Sequence, residues 1–161
     1  LVDAAQLVQN EPVTFVLVGH GRAKEALQAR ARRLGLANIQ FLSPVPKACI
    51  PTLLTAMDAL FIGWYRVPIY RFGISPNKVL DYMMAGKPVI HAVEAGNDVI
   101  SESGGGLSIP PEDPVAVAEA VRRLARLPAA DRASMGLRGR QYVLAHHDYR
   151  VLARQFLSLV Q

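Results

Sequence analysis

Ser75-Pro76-Asn77-Lys78, with Asp81 three residues on, gathers a hydroxyl, an amide, an ammonium and a carboxylate at the start of a helical pattern. By residue type, Ser75 is an N-cap and Pro76 fills the first helical position. The backbone N–H groups of Asn77 and Lys78 then leave the helix start unpaired. With the positive end of the helix dipole and the Lys78 charge, they make an anion site. Asp81 follows Asn77 by four positions and Lys78 by three, so the three side chains share a face within about 5.4 Å of helix rise. A carboxylate repels a bound phosphate, yet it suits a ligand whose phosphates adjoin a diol. One carboxylate accepts hydrogen bonds from both ribose hydroxyls, so the motif fits a nucleotide. It equally fits an exposed Lys78–Asp81 pair, contributing about 0.3–0.5 kcal/mol, above an apolar face of Val79, Leu80, Met83 and Met84.

Other residues offer weaker chemistry. Gly19-His20-Gly21 lacks the third glycine of a dinucleotide fingerprint. Its glycines permit a ligand close to the backbone, and they equally permit a tight strand–helix turn. The stretch 63–73 holds Trp64, Tyr65, Tyr70 and Arg71; its rings suit sugars or bases, or pin the loop to the core, and Arg71 can fork onto a phosphate. Glu94, Gly96 and Asn97 follow a strand end and offer a carboxylate, a glycine N–H and an amide to sugar hydroxyls; a polar helix cap at 94–98 fits them equally well. His146 and His147 are adjacent and face apart on a helix, which argues against a metal site. No nucleophile–base constellation of hydrolase type assembles.

These residues need positioning by alternating elements. VTFVLV (13–18), IQFLS (39–43), ALFIG (59–63), PVIHA (88–92) and GGLSI (105–109) read as strands. Helices fall between them, over 22–35 with Gly35 closing it, at 52–57, over 75–85 and over 96–103. Asp113 caps a further helix with Pro114 at its first position, and two more, at 131–145 and 149–160, finish the chain. Such alternation predicts an α/β domain: a Rossmann-like, doubly wound parallel sheet with C-terminal helices. Ligands in such sheets sit beyond the carboxyl ends of the strands, where the singled-out loops fall.

The chain has 161 residues, 51% hydrophobic and 19% charged, with a net charge of +5; its pI is about 9.7. That balance suits a polyanion, an acidic membrane surface or a phosphorylated small molecule. Basic and aromatic residues are not interleaved as on a nucleic-acid platform, so nucleic acid is not an expected partner. The single cysteine, Cys49, forms no internal disulfide and fits a reducing compartment. Apolar runs break well short of the roughly 20 residues of a membrane span. The chain opens inside a helical pattern, LVDAAQLVQ, and reads as a piece of something longer.

FGISPNKVLDYMMAGKPVI (72–90) resembles the signature segment of the group 1, family-four retaining glycosyltransferases, which have the two-domain GT-B fold. FVLVGHG, IQFLSPVPKACIPTLLTAMDALFIGW and GGGLSIPPEDPVAVAEAVRRL resemble the surrounding blocks in the same order. The resemblance covers essentially the whole chain and is nearest to the variant of bacterial O-antigen and capsule transferases. It implies the C-terminal, donor-binding domain, with the acceptor-binding N-terminal half and the first strand of this domain absent. It implies that Asp81 binds the donor ribose and that Asn77 and Lys78 meet the donor diphosphate; Ser75, Gly19 and Gly21 are the further candidates for the nucleotide. Lys78 and Arg71 would steady the leaving diphosphate, and Glu94, Gly96 and Asn97 would lie by the donor sugar. The expected reaction moves a sugar from a UDP-linked donor to a lipid-linked or glycan acceptor with retention, with no metal or other cofactor. The expected place is the cytoplasm, at the inner face of the membrane, and the isolated piece is expected to be inactive. Gly73 stands where the family's first acid falls, a departure from the pattern. A nucleotide-sugar 2-epimerase on the same half-fold and a non-catalytic nucleotide-binding or interaction module are the alternatives.

Overall fold

Val89–Ala92, the strand β4, sets the geometry, because all four of its residues are buried. A strand with no solvent-facing side chain must be covered on both faces, as in a parallel sheet between helices. β4 pairs in parallel with β3 (Leu60–Gly63) on one edge and β5 (Gly106–Ile109) on the other. Successive side chains alternate faces. Val89 joins Leu60, Ile62, Val79, Met83, Ile100 and Val143 in one core, while Ile90 joins Leu107, Ala120 and Leu124 in another. Helices α4 (Asn77–Met84), α5 (Val99–Ser103) and α7 (Ala129–His146) supply the first of these layers, and α6 (Pro114–Arg126) supplies the second. The strands and helices thus form the expected Rossmann-like α/β arrangement. The computed structural model describes residues 1–160.

One feature departs from the expected single sheet. β1 (Phe15–Val18) pairs in parallel with β2 (Ile39–Leu42), but this ladder is separate from β3-β4-β5. Each of β1 and β3 is therefore hydrogen-bonded to a strand on one edge only. Between them runs a groove of about 1210 Å³, walled by Phe15 to Val18 on one side and Leu60 and Phe61 on the other. The groove explains why every residue of β1 is only half buried, although its sequence is as apolar as that of β4. The two ladders are joined through α1 (Val2–Leu7), which packs on α6. Arg122 of α6 donates to Glu11 at 2.6 Å and to the Leu7 carbonyl at 2.7 Å across that junction.

Local signals place most other ends. Gly35, at φ 65°, follows α2 (Lys24–Arg33) in the left-handed region that favours glycine. Asp113 Oδ1 accepts from the N–H groups of Val115 at 2.9 Å and Ala116 at 3.0 Å, with Pro114 opening α6. α3 (Ile50–Thr55) precedes β3, and α8 (Tyr149–Leu159) ends the described chain. No helix among the described residues is long and apolar enough to cross a membrane.

Candidate functional site

α4 forms where Val79 and Met83, four residues apart, find the core and are almost wholly buried. Its start differs from expectation. The helix begins at Asn77, Pro76 is the N-cap in extended conformation, and no side chain caps it. Ser75 lies outside the helix and its hydroxyl caps nothing, because Pro76 is itself extended, at ψ 125°, and takes the cap position in place of the first helical one. The consequence for the backbone is the one the sequence implied. Val79 N–H bonds to the Pro76 carbonyl at 3.1 Å, but no partner for the N–H groups of Asn77 and Lys78 exists among the described residues. Asn77, Lys78 and Asp81 are all exposed at this end. Burial, and then the Asp81 carboxylate beside it, push the Tyr82 hydroxyl above its ordinary pKa.

Lys78 and Asp81 line the groove between the ladders, together with Gly19 and His20 at the end of β1. Four residues from two segments, α4 and the turn after β1, thus line the same groove. Gly19 has φ 137°, and open space lies where a Cβ would stand on either Gly19 or Gly21. Lys24 holds this corner by donating to the carbonyls of Gly19 and Leu42, each at 2.6 Å. Gly21, Ser75 and Asn77 lie outside the groove's lining.

The remaining candidates form a second cluster, where the β3–α4 loop meets the β4–α5 loop. Gly96 N–H donates to the Tyr70 carbonyl at 2.8 Å. A Cβ on Gly96 would stand 2.2 Å from the Arg71 carbonyl oxygen, so glycine is needed for this approach. Asn97 clamps Ile74, accepting its N–H at 2.7 Å and donating to its carbonyl at 2.9 Å. Its amide thereby fixes the backbone three residues before α4. Glu94 pairs with Arg66 at 2.9 Å on the surface, and Arg71 is exposed with its guanidinium 4.6 Å from the centre of the Phe72 ring.

His91, Trp64 and Asp98 complete this cluster and were not singled out from the sequence as a group. Trp64 Nε1 donates to His91 Nε2 at 3.1 Å, and His91 Nδ1 lies 3.1 Å from Asp98 Oδ1. Asp98 also caps α5 through the N–H groups of Ile100 and Ser101. Burial alone would raise the Asp98 carboxyl, but hydrogen bonds from His91, Ser108 and Ser101 outweigh it and hold the pKa below the ordinary value. The available signal was a lone imidazole inside the apolar strand run PVIHA.

Chemically, the groove presents an ammonium and a carboxylate beside a helix start with unpartnered N–H groups, which suits phosphates beside a diol. No group of three or more His, Cys, Asp or Glu residues that could hold a metal ion occurs among the described residues.

The parallel strands and their flanking helices form the Rossmann-like half of a GT-B fold. The profile described as "Glycosyl transferases group 1" matches residues 1–126, and the chain belongs to that family. It is 26% identical over its whole length to the probable glycosyltransferase WbjE of Pseudomonas aeruginosa, covering 40% of that protein. To the putative colanic acid biosynthesis glycosyl transferase WcaI of Escherichia coli it is 25% identical over 98% of this chain and 38% of the relative. It thus spans about two fifths of the length of these curated relatives. Among solved structures, Anabaena HepE in complex with UDP and glucose superposes with a TM-score of 0.72 at 23% identity, over 99% of this chain and 43% of that one.

Proposed function

We propose that this chain is the donor-binding half of a retaining glycosyltransferase of bacterial cell-surface polysaccharide synthesis. Its ligand is the nucleoside diphosphate of a UDP-linked sugar. The observation that carries this reading is the meeting of Lys78, Asp81 and Gly19 in one groove, beside the unpartnered N–H groups of Asn77 and Lys78. The diphosphate sits at the start of α4, its charge met by Lys78 and by Arg71 from the neighbouring loop. The ribose diol reaches Asp81 one turn along. Cleavage of the sugar–phosphate bond leaves charge on the diphosphate, and fixed donors already aimed at that site lower the barrier without a metal. A structural neighbour, Anabaena HepE, is solved in complex with UDP and glucose, which supports the UDP donor. The acceptor, lipid-linked or glycan, belongs to the rest of the polypeptide, working at the cytoplasmic face of the inner membrane.

The same reading gives the groove a structural role. A further parallel strand of the same polypeptide fits between the single-bonded edges of β1 and β3, with its carboxyl end beside Gly19 and Lys78. The 161-residue chain alone therefore binds donor weakly and turns nothing over.

Calorimetric titration with UDP, GDP, ADP and dTDP tests the assignment. UDP is expected to bind best. Lys78→Ala and Asp81→Ala are each expected to weaken it about tenfold, the loss of one charge-assisted contact. Unchanged UDP affinity in both variants would place the nucleotide elsewhere.

A further inference from the structure

His91 is only 2% exposed and stands in β4 between Ile62 of β3 and Ser108 of β5. Both ring nitrogens are engaged, each with a different loop. An indole N–H can only donate, so the Nε2 that receives it from Trp64 at 3.1 Å carries no proton. The neutral ring's proton is then on Nδ1, where it donates to Asp98 Oδ1 at 3.1 Å. Trp64 opens the loop that carries Arg71 and leads to α4, and its backbone N–H bonds to the Ala92 carbonyl at 3.0 Å. Asp98 closes the loop that carries Gly96 and Asn97. These two loops are the ones stitched together at Tyr70–Gly96 and Ile74–Asn97.

We propose that His91 is a positioning residue for donor binding, whose neutral Nδ1–H tautomer latches the β3–α4 loop to the β4–α5 loop beneath the site. The proposal rests on the donor-site reading above. The ring touches no ligand. It sets the distance between Trp64 and Asp98, and thereby the path of residues 70–74 into α4. A hydrophobic replacement would fill the space and leave both the Trp64 donor and an Asp98 oxygen with one partner fewer. Only an imidazole of this tautomer spans the two partners with one acceptor and one donor.

Long-range nitrogen–proton NMR on the chain reads the tautomer directly, and the Nδ1–H pattern is expected for His91. Trp64 is the single tryptophan, so its one indole N–H resonance reports the latch without assignment ambiguity. His91→Asn keeps a donor near Asp98 and removes the acceptor for Trp64; Trp64→Phe removes the indole N–H together with the five-membered ring that carries it. Each is expected to weaken UDP about fivefold and to speed hydrogen exchange at the Ile74 amide. In the double variant the two losses are expected not to add, because they break one bond. An Nε2–H tautomer, additive losses, or an undisturbed Ile74 amide in Trp64→Phe would overturn the latch. Trp64→Phe keeps the test open where His91→Asn fails to fold. If the wild-type chain binds no UDP, the donor-site reading fails, and tautomer and Ile74 exchange still decide the latch by themselves.

Discussion

Gly96→Ala concentrates the argument about the two loops into one methyl group. Gly96 looks replaceable by exposure, since it lies on the surface. Its added Cβ, however, would stand 2.2 Å from the Arg71 carbonyl oxygen and 3.1 Å from the Gly73 nitrogen. Ordinary contact needs about 3.5 Å, so the loops must part by more than an ångström. Backbone carbonyls cannot rotate away as a side chain does. Three hydrogen bonds oppose the parting: Gly96 N–H to the Tyr70 carbonyl and the two between Asn97 and Ile74. At about 1 kcal/mol net each, they cap the loss at roughly 2–3 kcal/mol, because separation relieves the clash once they break. For a chain of this size that lowers the melting temperature by about 4–10 °C. Differential scanning calorimetry reads the first effect, and a UDP titration reads the accompanying loss of affinity. A melting temperature within about 1 °C of wild type, with UDP affinity intact, would refute the steric reasoning.

Two further outcomes follow from other parts of the site. Gly21→Ala meets nothing within 4 Å, so melting should be unchanged while UDP binding weakens if the ligand passes over this backbone; calorimetry and titration on the same sample separate the two. The lowered Asp98 pKa means that its carboxylate stabilises the fold above the unfolded value, about 3.9, and that this contribution disappears as pH falls through the lower folded value. The melting-temperature gap between wild type and Asp98→Asn should therefore narrow below about pH 4, and a gap that holds constant or widens in acid contradicts the assignment.

The layered fold was legible because it rests on local chemistry. Alternating strand and helix patterns, the Asp113-Pro114 start and Gly35 all act within a few residues, and each appears where its type requires. The start of α4 was legible in outcome but not in detail. Ser75 and Pro76 both favour a helix start, and which of them takes the cap depends on the path of the incoming loop, which Asn97 fixes from 23 residues away. Sequence separation likewise hid the role of Asn97. An amide beside a strand end suits a sugar hydroxyl as well as a peptide group, and only the approach of Ile74 decides its partners. His91 was visible as an oddity within PVIHA, yet its meaning required knowing that Trp64 and Asp98 converge on it. The split between the ladders had no signal in β1 or β3, because a strand's own residues do not say whether both its edges are paired.

These long-range ties bear on how the site works. α4 is fixed from several directions before any ligand arrives. Val79 and Met83 anchor it to the sheet, and Gly136 of α7 presses on the turn that follows it. A Cβ at Gly136 would come within 2.1 Å of the Gly86 carbonyl oxygen, so the backbones themselves are in contact. The start of α4, the proposed anion site, is thus backed by its far end and its buried face, and on that reading binding does not have to order it. Preorganisation of this kind raises affinity by removing an ordering cost rather than by adding contacts. The loop of residues 64–76 has less behind it. Tyr65, Ile69, Arg71 and Phe72 are exposed, and the loop is tied down by Trp64, Tyr70 and Ile74 through His91, Gly96 and Asn97. Differences in donor affinity among variants should therefore track those three ties more closely than the packing of α4, since only the loop retains freedom for a mutation to release.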